Sequence, residues 1–393
     1  MPPPSAQGSA SPQSYHLESV SDADPEIKAR AATMTKLKGL ARDAQTARVP
    51  YTDDGSMHHQ TFRRAVSNVL STELALFTFA QIIDGLPTAD VAYDRRFPGL
   101  DGVVHPIEEH PNLCPGVMER TREIRDRFDR SILLFDLTVI RAYRRAVPGS
   151  QRFNIRFMEL VAVSMHQLGT LLFNLEECMH KGGPQDIERI TQYLEPPSSP
   201  GGFHHGYLAD DIYPEGVADV VGYWTEDRIL GGVTVFDRQA EQRTPKEPPN
   251  TWFYGCRENV TYRYFQLQDQ QQQAMVDFFL ADDPGQAPCP LPIIGDKNNR
   301  VRVDFWKALT ERFICRDVWE RKPPTNETIR FWERRPQNEF DYPEHRTLLE
   351  AVNTRLGIPF PAPASEQDSC CDAATDKAEC VCPKGDPDRK MGS

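Results

Sequence analysis

The segment FNIRFMELVAVSMHQLGTLLFNLEECMH, Phe153 to His180, constrains this fold more than any other. It is rich in helix formers and is closed by Lys181-Gly182-Gly183. In its middle it is apolar nearly all round instead of along one stripe. A helix with no polar side must be enclosed by other elements. The spacing predicts one long, buried central helix, ended by glycines that accept the left-handed turn after a helix.

The flanking sequence supplies what encloses it. Gln60 to Asp84, QTFRRAVSNVLSTELALFTFAQIID, has apolar residues at helical spacing and ends at Gly85-Leu86-Pro87. Gly116 to Ala146 is charged in its first half and apolar in its second, so as a helix it enters the core midway. Beyond residue 213 the pattern changes. VADVVGYW (217–224) and ILGGVTVFD (229–237) flank Thr225-Glu226-Asp227-Arg228 and read as a β-hairpin. TWFYGC (251–256) and VTYRYFQL (260–267) flank Arg257-Glu258-Asn259 and read as a second. A helix follows from Asp269.

The expected class is α+β: a helical N-terminal part packed on a small antiparallel sheet of about four strands, with additional helices. Residues 1–48 form a disordered, basic arm, 49–190 the helical part and 195–360 an α+β part built on two hairpins. The last two share one core. Residues 361–393, rich in Pro, Ala, Ser, Asp and Lys, form a disordered tail.

The formal net charge is −12. That argues against a sequence-independent nucleic-acid binder, which needs a basic face to pair with phosphates, and disfavours an anionic membrane surface. No stretch approaches the roughly 18 apolar residues of a membrane-spanning helix. The first residues, MPPPSAQGSASPQSYH, hold no apolar run of signal-peptide length. The expectation is a cytoplasmic protein whose thiols stay reduced. Its partners would be a small molecule or a protein, with no nucleic acid and no membrane.

YPEGVADVVGYWTEDRILGGVTVFDR (213–238) resembles a large, uncharacterised family of filamentous-fungal proteins. The resemblance extends to PGSQRFNIRFMELVAVSMHQLGTLLFNLE (148–176), NVTYRYFQLQDQQQQAMVDFFL (259–280) and CPLPIIGD with NNRVRV (289–303), over roughly residues 60 to 355. It carries over no catalytic residue and no cofactor. It implies a role in the accessory or secondary metabolism of moulds.

The common catalytic signatures are missing: there is no Gly-x-Gly-x-x-Gly, no Walker loop and no Gly-x-Ser-x-Gly. Three segments carry metal-ligating residues. Glu177-x-x-His180 puts a carboxylate and an imidazole on one helix face, the half-motif of di-iron carboxylate proteins. Glu73 and Asp136 lie on other candidate helices, and Glu159 and His166 lie earlier on the same one. FHHGYLADDIYPEG offers His204, His205, Asp210 and Asp211, a donor set suited to zinc, manganese or iron. SCCDAATDKAECVC gathers Cys370, Cys371, Cys380 and Cys382, four thiols suited to zinc or Cu(I).

Each has a plainer reading, as a solvated helix end, a polar surface loop and a disordered tail. Glu226, Asp227 and Arg228 read as turn residues. Cys114, Cys178, Cys256, Cys289 and Cys315 are scattered. The leading functional reading is an accessory protein that binds a small molecule or a partner. The first alternative is a divalent-metal enzyme, oxygenase-like, using Glu177 and His180 or the His204–Asp211 loop. The second is soft-metal binding by the C-terminal cysteines.

Overall fold

The computed structural model describes residues 48–94, 106–191, 202–203, 205–238, 250–317, 320–333 and 341–357. The N-terminal arm and the cysteine-bearing tail lie outside the described residues. The described residues run through β1 (Arg48–Pro50), α1 (Met57–Leu70), α2 (Glu73–Asp84), α3 (Ala89–Tyr93), α4 (Val117–Arg127), β2 (Leu134–Asp136), α5 (Leu137–Arg145), α6 (Gln151–Asn174) and α7 (Gly183–Thr191). There follow α8 (Val217–Leu230), β3 (Val233–Asp237), β4 (Thr251–Tyr254), β5 (Tyr264–Gln266), α9 (Asp269–Leu280), β6 (Arg302–Val303), α10 (Phe305–Thr310), β7 (Ile314–Cys315) and α11 (Asn326–Glu333). The unit up to Tyr342 contains all of these; a second begins at Pro343 and holds α12 (His345–Leu356). The class is α+β. Among the described residues no single helix is long and apolar enough to cross a membrane.

The Gln60–Asp84 stretch is two helices, α1 and α2, bent by 71°. The Ser71-Thr72 pair makes the break. Both hydroxyls donate back to carbonyls of the last turn of α1, Ser71 to Asn68 and Thr72 to Val69, each at 2.7 Å. Thr72 Oγ1 then caps α2 by accepting from the Ala75 N–H. The Gly116–Ala146 stretch breaks for a similar reason. Asp129 accepts from Ser131 N and Asp136 from Thr138 N, so short aspartate-capped elements replace one long helix. Helix α6 is the expected central helix. It starts at the cap Ser150 and ends at Asn174, before Glu177 and His180.

The first expected hairpin is corrected. Residues 217–230 form helix α8, and the supposed turn Thr225–Arg228 is its third turn. Every residue from Ala218 to Leu230 is buried, so the segment shows no amphipathic stripe, and its β-branched and aromatic content imitates a strand. Gly231 ends the helix in the left-handed region, with φ 107°. A Cβ there would strike the Ile293 backbone, whose N–H donates to Leu230 O at 2.9 Å.

The sheet has five strands, not four, all antiparallel, in the order β6-β5-β4-β3-β7. The β4–β5 pairing is the second expected hairpin, with Trp252 opposite Gln266, so residues 255–263 connect the strands in place of a three-residue turn. Alternation along the strands places Phe236, Phe253 and Phe265 against the helical core. Val233, Val235, Trp252, Tyr254 and Tyr264 pack in a second cluster with Tyr207, Tyr213 and Tyr223. A separate two-stranded sheet joins β1 to β2.

Helix α6 packs most extensively on α8, and two glycines set their separation. A Cβ on Gly169 would lie 3.3 Å from Gly222 Cα, and a Cβ on Gly222 would lie 2.7 Å from His166 Nε2 and 2.8 Å from Thr170 Oγ1. Substituting Gly222→Ala is expected to destabilise the fold by about 1–3 kcal/mol, because the crossing has no room for a methyl group. A urea midpoint unchanged from wild type would contradict this.

Candidate functional site

Reading 217–230 as a helix changes which side chains meet. Asp219, Tyr223 and Glu226 follow i, i+4, i+7 spacing and share one face. Opposite them on α6 stands His166. Its Nε2 is 2.8 Å from Asp219 Oδ1 and its Nδ1 is 3.2 Å from Glu226 Oε1. Its ring meets the edge of Tyr223 with centroids 4.5 Å apart. Glu226 is fully buried and also takes the Arg316 guanidinium, with Nη1 to Oε1 2.6 Å. Arg316 follows β7, and two contacts hold its backbone. Its N–H donates to Glu320 Oε2 at 2.9 Å, and its carbonyl accepts from Arg238 at 2.6 Å. Arg238 is itself paired with Glu159 of α6. Asp219 Oδ2 accepts from Glu215 N at 2.8 Å, which fixes the carboxylate at the start of α8.

Electrostatics follow from this nesting. Burial works against charge on the His166 ring, but Asp219 and Glu226 outweigh it and raise the pKa above the ordinary 6.5. Burial likewise works against the Asp219 and Glu226 carboxylates, and both are nevertheless held below their ordinary range, Asp219 by His166 and Glu226 by Arg316 and His166. Deeper in, burial pushes Glu320 up to about 7 against the pull of Arg321. Tyr207 lies between Glu320 and the Tyr264 hydroxyl.

This network opens onto a cleft of about 170 Å3. His166, Asp219, Tyr223 and Arg316 line it, with Arg48, Glu215 and Asp317. Leu134, Val163 and Leu171 give it an apolar wall. The arrangement offers charged groups of both signs to a small molecule, and among them an imidazole whose protonated form its carboxylate neighbours favour.

The residues singled out as metal ligands divide. Glu177 makes a two-pronged pair with Arg120, at 2.9 and 2.5 Å, and is not among the metal-ligating groups that meet His180. Glu73 is exposed, Asp136 caps α5, and Glu159 is held at about pKa 2, against its burial, by Arg238 and Arg156. These carboxylates and His166 do not form a di-iron set. His205 is fully buried, accepts from Tyr207 N through Nδ1, and is pushed down to about 4 by burial, so it is neutral. Asp210 and Asp211 sit on a short 3-10 turn (Asp210–Ile212), where Asp211 pairs with Lys322 at 2.7 Å. The loop therefore brings no metal-binding set together from its described residues. His204, Cys370, Cys371, Cys380 and Cys382 lie outside them.

His180 does meet other ligand types. Among the described residues one group has metal-ligand geometry: Asp84, His110, Cys114 and His180. Three of its members escaped the sequence reading. The available signal was His110-x-x-x-Cys114 with a buried aspartate at the Asp84-Gly85 helix stop. In the cleft, the strand reading of 217–230 leaves Asp219 unremarked and makes Glu226 a turn residue, while Arg316 lies beyond that segment, after β7.

Comparison with protein-family models, curated proteins and solved structures yields no match.

The cleft network has a defined pH signature. The raised His166 pKa contributes stability in full below about 6.5, and that contribution is lost as pH rises through the folded value. The lowered Asp219 and Glu226 values contribute above their ordinary 3.8 and 4.5 and lose that contribution as pH falls. The stability difference between wild type and His166→Gln should therefore be larger at about pH 6 than at about pH 9. Urea unfolding of both proteins at the two values measures it. An equal difference at both would refute the coupling.

Proposed function

We propose that the protein binds a small polar molecule in the α6–α8 cleft, with the His166–Asp219 pair as its proton-bearing floor. One observation carries this reading. A run of buried charged groups, Glu320, Arg316, Glu226 and His166, ends at the wall of a solvent-open cleft and not in the middle of the core. Buried ion pairs are poor stabilisers: replacing them with well-packed apolar groups is often neutral or favourable. Charges placed this way are better explained by what they present to a ligand, and shifted titrating groups in a cleft mark candidate functional sites.

Size and charge narrow the ligand. A cavity of roughly 150 Å3 accepts a benzene-sized molecule. Arg48 and Arg316 suit a carboxylate, while Asp219, Glu215 and Asp317 suit an amino or hydroxyl group. The favoured class is a small amino or hydroxy acid. The resemblance to filamentous-fungal proteins supports placing such a molecule in accessory metabolism.

Calorimetric titration of the full chain with a panel of small amino and hydroxy acids tests this. Saturable one-to-one binding is expected for a member of the panel, weakened about tenfold or more by His166→Gln or Asp219→Asn, since a hydrogen bond to a charged group contributes roughly 1.5–3 kcal/mol. Binding indifferent to both substitutions, or none across the panel, would overturn the reading.

A further inference from the structure

We infer that Asp84, His110, Cys114 and His180 form a closed four-ligand site for one zinc-class divalent ion, separate from the cleft and structural in role. One donor atom from each residue lies within 4.8 Å of all the others. Tetrahedral zinc, with bonds of about 2.0–2.3 Å to oxygen, nitrogen and sulfur, sets its ligands about 3.3–3.8 Å apart. The Cys114 Sγ to His180 Nδ1 separation is 3.7 Å and His110 Nε2 to Asp84 Oδ2 is 3.1 Å. Small side-chain movements bring the four to coordination distance.

The surroundings aim the donors. His110 Nδ1 lies 3.0 Å from the Pro87 carbonyl and donates its proton there, turning Nε2 inward. His180 Nε2 lies 2.9 Å from Asp186 Oδ2, turning Nδ1 inward. Asp186 is held in turn by Arg189 at 3.1 and 3.2 Å. An imidazole that binds a metal through one nitrogen and is oriented through the other by a carbonyl or carboxylate is the usual protein arrangement. Asp84 is wholly buried, and its Oδ1 has no hydrogen-bond partner. An orphaned carboxylate oxygen in the interior is costly, and a cation satisfies it.

The backbone is also fixed. The Met179 and His180 N–H groups donate to Ile83 O and Asp84 O, closing the end of α2, at 3.0 and 2.9 Å. Cys114 N donates to Asp84 Oδ2 at 2.9 Å. A Cβ on Gly85 would lie 2.9 Å from Ile187 Cδ1 and 3.2 Å from Cys178 Sγ, so α7 and the segment after α6 close tightly on the end of α2. One thiolate, two imidazoles and one carboxylate make a borderline-soft set suited to zinc. Four protein donors leave no open position for a substrate. The ion would pin residues 110–114 and 178–186 to α2.

Cobalt(II) is the probe, because a tetrahedral thiolate site gives it visible ligand-field bands and a sulfur charge-transfer band. The full chain with Cys370, Cys371, Cys380 and Cys382 all changed to serine removes competition from the tail thiols. It should take up one cobalt per chain with both features and release it to zinc. Cys114→Ser in that background should abolish the charge-transfer band. Should Cys114→Ser fail to fold, Asp186→Asn tests the same site from outside the ligand set, and about 10–100-fold weaker binding with unchanged circular dichroism is expected. No stoichiometric uptake without the tail thiols would overturn the site, as would a charge-transfer band that survives Cys114→Ser or affinity unchanged by Asp186→Asn. Binding by the tail cysteines alone also counts against it.

Discussion

The close crossing of α6 and α8 is the constraint on which the rest depends. Gly169 and Gly222 let two buried helices approach until the His166 imidazole and the Thr170 hydroxyl rest on the glycine at residue 222. Only at that distance does one ring reach Asp219 and Glu226, seven residues apart on the facing helix. Thr170 Oγ1 also bridges the pair, donating to His166 O and Ala218 O at 3.1 and 3.3 Å. The sheet packs behind this pair through Phe236, Phe253 and Phe265. The geometry of the cleft is thus a by-product of core packing, which makes it stiff.

Charge balance explains how that core tolerates ions. His166 stands between two carboxylates, and Glu226 stands between two cations. In these pairs each charge has an opposite neighbour, so desolvation is offset locally. The sequence of pairs runs from the rim to Glu320, where the balance fails and the carboxyl is pushed up to about 7. The second polar cluster, around Asp84, sits at the end of another helix and holds an aspartate oxygen with no partner. The two sites differ in kind: one opens to solvent, the other closes on itself.

The sequence made the central helix legible because an all-round apolar pattern has one physical outcome. It also gave the β4–β5 pairing and the helix from Asp269. It failed at α8, where burial on every face erased the helical period and valine, tyrosine and tryptophan counterfeited a strand. That error hid the cleft, since Asp219 and Glu226 fall on one face only if the segment is helical. His180 was singled out, but for a partnership with Glu177 that Arg120 pre-empts. Its actual neighbours, Asp84, His110 and Cys114, come from positions 66 to 96 residues earlier in the chain, a separation that spacing rules do not span.

The most direct measurement is the protonation state of His166, read from nitrogen-15 chemical shifts of its ring. The account predicts that the ring loses its second proton only above the ordinary imidazole value, held on by Asp219 and Glu226. A ring that gives up its second proton at or below that ordinary value would contradict the charged floor on which the cleft reading stands.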